Sequence, residues 1–203
     1  MNDKIFKINQ FQKDALKEIG SICAGNAATA LSQLVNKKVE ITVPEVYFLP
    51  IERVPQVVGE DKLVVGLVVR ILGDLPSVIL LIFSQKDALN LASLMTNKKP
   101  SNGGVITDLE RSALKEIGII LANAYMGALS VFVRFGLVPA VPELIEDMAT
   151  AMIDYILIEL SHVSKYALLI KSEFKEETTK VTGHFFLIPN PTGLELLLKA
   201  IEY

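Results

Sequence analysis

Asp14–Val46 reads DALKEIGSICAGNAATALSQLVNKKVEITVPEV, and Ser112–Leu144 reads SALKEIGIILANAYMGALSVFVRFGLVPAVPEL. The two segments start 98 residues apart, align without a gap and are identical at 15 of 33 positions. Solenoid repeats have periods of roughly 20–50 residues. A single repeat of this greater length predicts instead a duplicated unit, two copies packed about a pseudo-twofold axis. Packing would account for a repeated core face. It does not account for a repeated acidic residue, Glu18 and Glu116, on the opposite face.

Each copy opens with a helix start signal. Asn9-Gln10-Phe11-Gln12 and Thr107-Asp108-Leu109-Glu110 both fit a capping box, a cap residue with Gln or Glu three positions later. The spacing predicts helices of some 25 residues. Short β-favouring runs follow at Val39–Val43, Val64–Leu72 and Leu75–Phe83, the last two joined by a tight hairpin at Gly73-Asp74. A helix over Ser84–Met95, with Ser84 as cap, closes the first copy. In the second copy Tyr166–Phe174 and Lys180–Ile188 read as a hairpin across Lys175–Thr179. A last helix begins at Asn190-Pro191, and Met148–Leu160 leans to helix in its first part. The polar segment Thr96–Thr107 is the linker. The expected fold is α+β: a mostly antiparallel, continuous sheet with two long helices packed on one face. The whole chain, 1–203, is expected to form one domain, with repeats at about 9–95 and 107–201.

Composition narrows the function. A 51% apolar content and mean hydropathy of +0.42 support a large core. Net charge is −3, and the 20 basic residues form no stripe, which argues against nucleic acid. The single cysteine, Cys23, excludes an internal disulfide framework and fits a reducing cytoplasm. The N-terminus, MNDKIFKINQ, lacks a signal-peptide apolar stretch. Residues 117–133 are apolar but short of the roughly 20 needed to span a bilayer, and Asn123 interrupts them. A buried helix is expected there, and no membrane partner.

On a helical wheel of about 100° per residue with Asp14 at zero, Ala15, Leu16, Ile19, Ile22, Cys23, Ala27, Ala30 and Leu34 form the core stripe. Asp14, Glu18, Ser21, Gly25 and Ser32 fall opposite. Glu18 and Ser21, three apart, are surface neighbours. The second helix places Ser112, Glu116, Ile119 and Asn123 at the same angles, so Ile119 is an apolar side chain on the solvent face. Other residues have plainer readings. Asn26 points to the core rim as a satisfied amide, and Cys23 is a small core residue. His162 and His184 lack metal-ligand spacing. Gly103-Gly104 lacks the Lys of a phosphate loop. Pro44 and Pro142 end a helix-to-strand crossing.

The pattern Asp/Ser-x-x-x-Glu-x-x-Asn, followed 23 positions later by Pro, resembles the CheC/CheX/FliY family of chemotaxis phosphatases. Asp14, Glu18 and Pro44 match it, as do Ser112, Glu116 and Pro142. The stretch LKEIG…AGNAATALS…NKKVEI.VP is similar to the CheC members, and the resemblance runs over essentially the whole chain. It implies hydrolysis of the aspartyl phosphate on the response regulator CheY. Glu18 and Glu116 would dock the helices through a lysine of the regulator, and the motif Asn would hold a water in line with phosphorus. Asp14, Ser112, Ile119 and Asn123 would border the contact. No cofactor of its own is implied, because the regulator supplies the divalent metal. The receptor deamidase CheD is the family's usual further partner, and the oligomeric state stays open. The chain departs from the pattern at the Asn, which is Ser21 in one copy and Ile119 in the other. Weakened hydrolysis through Glu18, Ser21 and Glu116 is one expectation; a non-catalytic adaptor for CheY or CheD is the alternative.

Overall fold

The structure is a computed structural model that describes residues 9–59, 62–101, 105–159, 166–176 and 180–201. His162, Gly103, Gly104 and the tip of the predicted 175–179 hairpin fall partly or wholly outside these. Helix α1 spans Gln10–Val35 and helix α4 spans Asp108–Val133, each of 26 residues. Their ends explain the match. Both predicted capping boxes form, Asn9 with Gln12 and Thr107 with Glu110, and both helices end on a residue in the left-handed region, Asn36 and Arg134. Every one of these boundaries recurs at the 98-residue offset.

The strands are β1 (Val39–Pro50), β2 (Leu63–Gly73), β3 (Ser77–Ser84), β4 (Leu137–Pro139), β5 (Glu143–Met148), β6 (Tyr166–Glu176) and β7 (Lys180–Pro189). They form one antiparallel sheet in the order β1-β6-β7-β3-β2-β4, with β5 also pairing β2. Thus the first strand of each half pairs with the hairpin of the other half, and the two hairpins meet at the centre through β3 and β7. Neither half could complete its own sheet.

The strand that follows each long helix is irregular at the same place. In β1 the register shifts between Thr42 and Glu45. Ninety-eight residues on, the chain breaks between β4 and β5, around Ala140–Pro142. The predicted strand Val39–Val43 therefore stops short of the observed one, which continues through Pro44 to Pro50. This strand lies at the sheet edge, where a proline need not donate to a ladder.

One face of the sheet carries α1, α4, α3 (Gln85–Thr96) and α6 (Pro191–Ile201), enclosing a core that includes Leu16, Leu31, Leu67, Phe83, Ile117, Leu121 and Phe185. The opposite face has its own core, closed by a 3-10 turn at Ile51–Arg53, α2 (Val54–Val58) and α5 (Ala149–Glu159). That second layer was not expected, although α5 lies where the sequence leaned to helix. Helix α4 has the length and hydropathy of a membrane span (mean hydropathy 1.6), yet it lies against α1, α3 and the sheet with Leu114, Ile117, Leu121 and Ala122 fully buried.

Candidate functional site

The two long helices run antiparallel. Five successive antiparallel pairings separate β1 from β5, so those strands point in opposite directions. The helices that precede them at equal spacing do likewise. Consistent with this, the Cys23 thiol donates to the Tyr125 carbonyl at 3.5 Å, and Leu16, Ile19 and Cys23 share a small cavity with Leu129, Met126 and Tyr125. If residue 23 faces 125, residue 18 faces about 130. Glu116 then lies some 14 positions away, roughly 21 Å along the shared axis at about 1.5 Å per residue.

Glu18 and Glu116 are both exposed and make no hydrogen bond or ion pair among the described residues. Asp14, one turn before Glu18, is exposed and accepts from Gln10 Nε2 at 2.9 Å. Ser112 is exposed at the matching place on α4. Beside each carboxylate the halves diverge. Ser21 is exposed, but its hydroxyl donates to the Lys17 carbonyl one turn back, at 2.9 Å. The expected donor-and-acceptor group is left as an acceptor, because Ser in a helix finds its own backbone. Ile119 is half-buried rather than on the open solvent face. On the β5 side of the same helix, Arg111 forms an ion pair with Glu146.

Between the helices runs a shallow groove of about 440 Å³ lined by Asn26 and Ala30 of α1 and by Ile120, Asn123, Ala124, Gly127 and Ala128 of α4. Asn123 is exposed there, in the groove and away from Glu116 by about two turns. Asn26 is exposed in the same groove, not at the core rim. Ile22 and Leu34, predicted as core, are 48% and 37% exposed. Ile22 sits at about 80° on the wheel, the border of the stripe, and Leu34 lies in the last turn, where the core ends. Asn26 was misplaced because its angle points to the neighbouring helix, and only the antiparallel pairing reveals a groove there. Pro142 is buried, and its Cγ would lie 3.6 Å from a Cβ placed on Gly118 of α4. It serves packing between helix and sheet. Cys23 is buried, and burial pushes its thiol up to about 12, so it is a core residue. Among the described residues no three His, Cys, Asp or Glu side chains gather as a metal site.

Fold and site together present two equal helices, each with an exposed carboxylate at the same position, on one face of a single antiparallel sheet. A model of the CheC-like family matches residues 11–48. The CheY-P phosphatase CheC of Bacillus subtilis (strain 168) is 32% identical over 200 residues, covering 96% of this chain and 95% of the relative. The chain belongs to the CheC-like family. Among solved structures, Thermotoga maritima FliY shares the fold with a TM-score of 0.77 at 18% identity, over 96% of this chain and 98% of that one. The CheX–CheY–BeF3–Mg complex of Borrelia burgdorferi contains a chain of the same fold, with a TM-score of 0.51 at 15% identity, over 83% of this chain and 95% of that one.

Proposed function

We propose that this chain binds the phosphorylated form of a CheY-type response regulator through the α1 and α4 faces and promotes hydrolysis of its aspartyl phosphate. The observation that carries the reading is the pair of exposed carboxylates, Glu18 and Glu116, without partners among the described residues, at one position of two equal helices. A relative matched over nearly the full length bears the name CheY-P phosphatase. Each carboxylate would meet a cation of the regulator as a charge-assisted contact. Phosphoryl transfer depends mostly on positioning and charge stabilisation. The regulator would supply the divalent metal, and this chain needs no cofactor of its own.

Of the two residues at the motif's Asn position, Ser21 alone can hydrogen-bond a water. Its proton is held by Lys17, so it accepts. An accepting oxygen has the right polarity, because a water that donates to it keeps a lone pair for phosphorus. It stops about one C–C bond, roughly 1.5 Å, short of where an amide would reach. Ile119 can hold no water. Turnover is therefore centred on the α1 face and is slow, with the α4 face serving to dock.

In the same reading the chain is a single cytoplasmic domain of two repeats, 9–95 and 107–201, with CheD as a further partner. The test is phosphate release from the cognate phosphorylated regulator. Decay faster than that of the regulator alone supports the proposal. Unchanged decay together with saturable binding favours the second reading, a non-catalytic adaptor, for which the loss of both amides speaks.

A further inference from the structure

On the face of the sheet opposite α1 and α4 lies a pocket of about 430 Å³, lined among others by Tyr47 of β1, Arg53 and Gln56 and Val57 around α2, Leu169 of β6 and His184 of β7. Its volume falls in the range of small-molecule sites, roughly 300–1,000 Å³. Among the described residues its walls combine apolar side chains with Arg53, Gln56 and His184, and no Asp or Glu. His184 stacks on Phe186, with ring centroids 6.4 Å apart, which fixes the imidazole against the sheet.

The other half of the chain serves as an internal control. Ninety-eight residues after Tyr47, Arg53, Gln56 and Val57 stand Ile145, Ala151, Asp154 and Tyr155. There the cover is α5, 11 residues long against the 5 of α2. The Met152 side chain fills the space over β2, with its sulfur only 2.3 Å from where a Cβ on Gly66 would stand. At these positions the second half thus carries Asp154 where the first carries Gln56, and Ala151 where the first carries Arg53.

We propose that this pocket binds a small organic anion, a carboxylate or phosphate carried on a flat apolar body, with Arg53 holding the anion, His184 beside it, and Tyr47 and Val57 against the ring. Arg matches both anions bidentately. The proposal does not depend on the reading of the helix faces, since the two sites lie on opposite sides of the sheet.

The test is an amide chemical-shift titration of the full chain with three probes of one ring: 2-naphthoate, 2-naphthyl phosphate and neutral 2-naphthalenemethanol. Shifts should cluster at residues 47, 53–57, 169 and 184. Both anions should bind about tenfold tighter than the alcohol or better, and the tighter of the two identifies the anion class. Arg53→Ala should remove about tenfold of anion affinity and leave the alcohol unchanged, and Arg53→Lys should restore part of it. Arg53 is exposed, so these variants should fold. Val57→Trp should block all three probes. Equal binding of the alcohol and the anions, shifts centred on the α1–α4 groove, or full anion affinity in Arg53→Ala would each overturn the proposal.

Discussion

Replacing Ser21 by Asn should raise phosphate release from the regulator. Ser21 is exposed, and the change removes only its bond to the Lys17 carbonyl. Ser and Asn have similar helix propensities, so stability should shift by less than about 0.5 kcal/mol. The new side chain extends about 1.5 Å further and brings both a donor and an acceptor to the position beside Glu18. In enclosed sites, one well-placed hydrogen-bonding group is worth about 2.7–4 kcal/mol of barrier. This face is closed only by the docked regulator, so half the lower figure, about 1.4 kcal/mol, is a reasonable expectation, and it equals a tenfold rate. The assay is single-turnover decay of phosphorylated regulator with the chain in excess. Ser21→Asn should be about tenfold faster than wild type, and Ser21→Ala slower than wild type. Ile119→Asn should gain less, because Ile119 is half-buried and an amide there loses apolar contact. If Ser21→Asn binds the regulator as tightly as wild type and decay is unchanged, the positioning argument fails and the adaptor reading replaces it.

Two further predictions concern the frame that holds these faces. The Glu110 carboxylate accepts from the Thr107 and Ser101 backbone N–H groups, each at 2.9 Å, and from the Thr107 hydroxyl at 2.7 Å. Burial alone would raise this carboxyl, but the bonds outweigh it and hold it below the ordinary carboxylate range. Its folded pKa is thus depressed, so its contribution is present above the unfolded value of about 4.3 and fades as pH falls through the folded one. Glu110→Gln should lower the urea midpoint at pH 7, by about 1 kcal/mol of stability, and the difference should shrink on acidification. A difference that stays constant to low pH refutes the assignment. At the sheet centre, a Cβ on Gly183 would meet Phe83 Cε1 at 2.4 Å and Phe174 Cε2 at 3.0 Å. Gly183→Ala should cost about 1–3 kcal/mol by overpacking, read in the same unfolding assay, without changing regulator affinity.

The parts of the fold legible in the sequence were those set by local chemistry. Capping boxes located both long helices, Ser84 located α3, where its side chain accepts from the Asp87 N–H at 3.1 Å, and β-favouring runs joined by turn residues located four strands. What escaped was set by tertiary context. Residues 51–58 form two short helical turns that carry no periodicity of their own, and they are held by Ile51 and Val54 in the second core. A signal for that core was present, since β3 is buried at Ser77 through Phe83, and a continuous apolar run marks a strand covered on both faces. The exposure of Glu18 and Glu116 was legible because charge at a repeated wheel angle has no packing explanation. The covering of Ile119 and the groove at Asn26 and Asn123 were not, because both depend on how α4 meets β5 and α1. The tied hydroxyl of Ser21 was legible in principle, as a Ser within a helix commonly bonds the carbonyl four residues back.

The most direct test of the central claim is the affinity of the BeF3-activated regulator for wild type, Glu18→Ala, Glu116→Ala and the double variant. Both carboxylates are exposed, so all four proteins should unfold at about the same urea concentration. Each single variant should bind more weakly by up to about 1.5–3 kcal/mol, the worth of one charge-assisted hydrogen bond, and the double variant more weakly than either. Equal affinity across all four proteins would contradict the account and remove both helix faces as the docking surface.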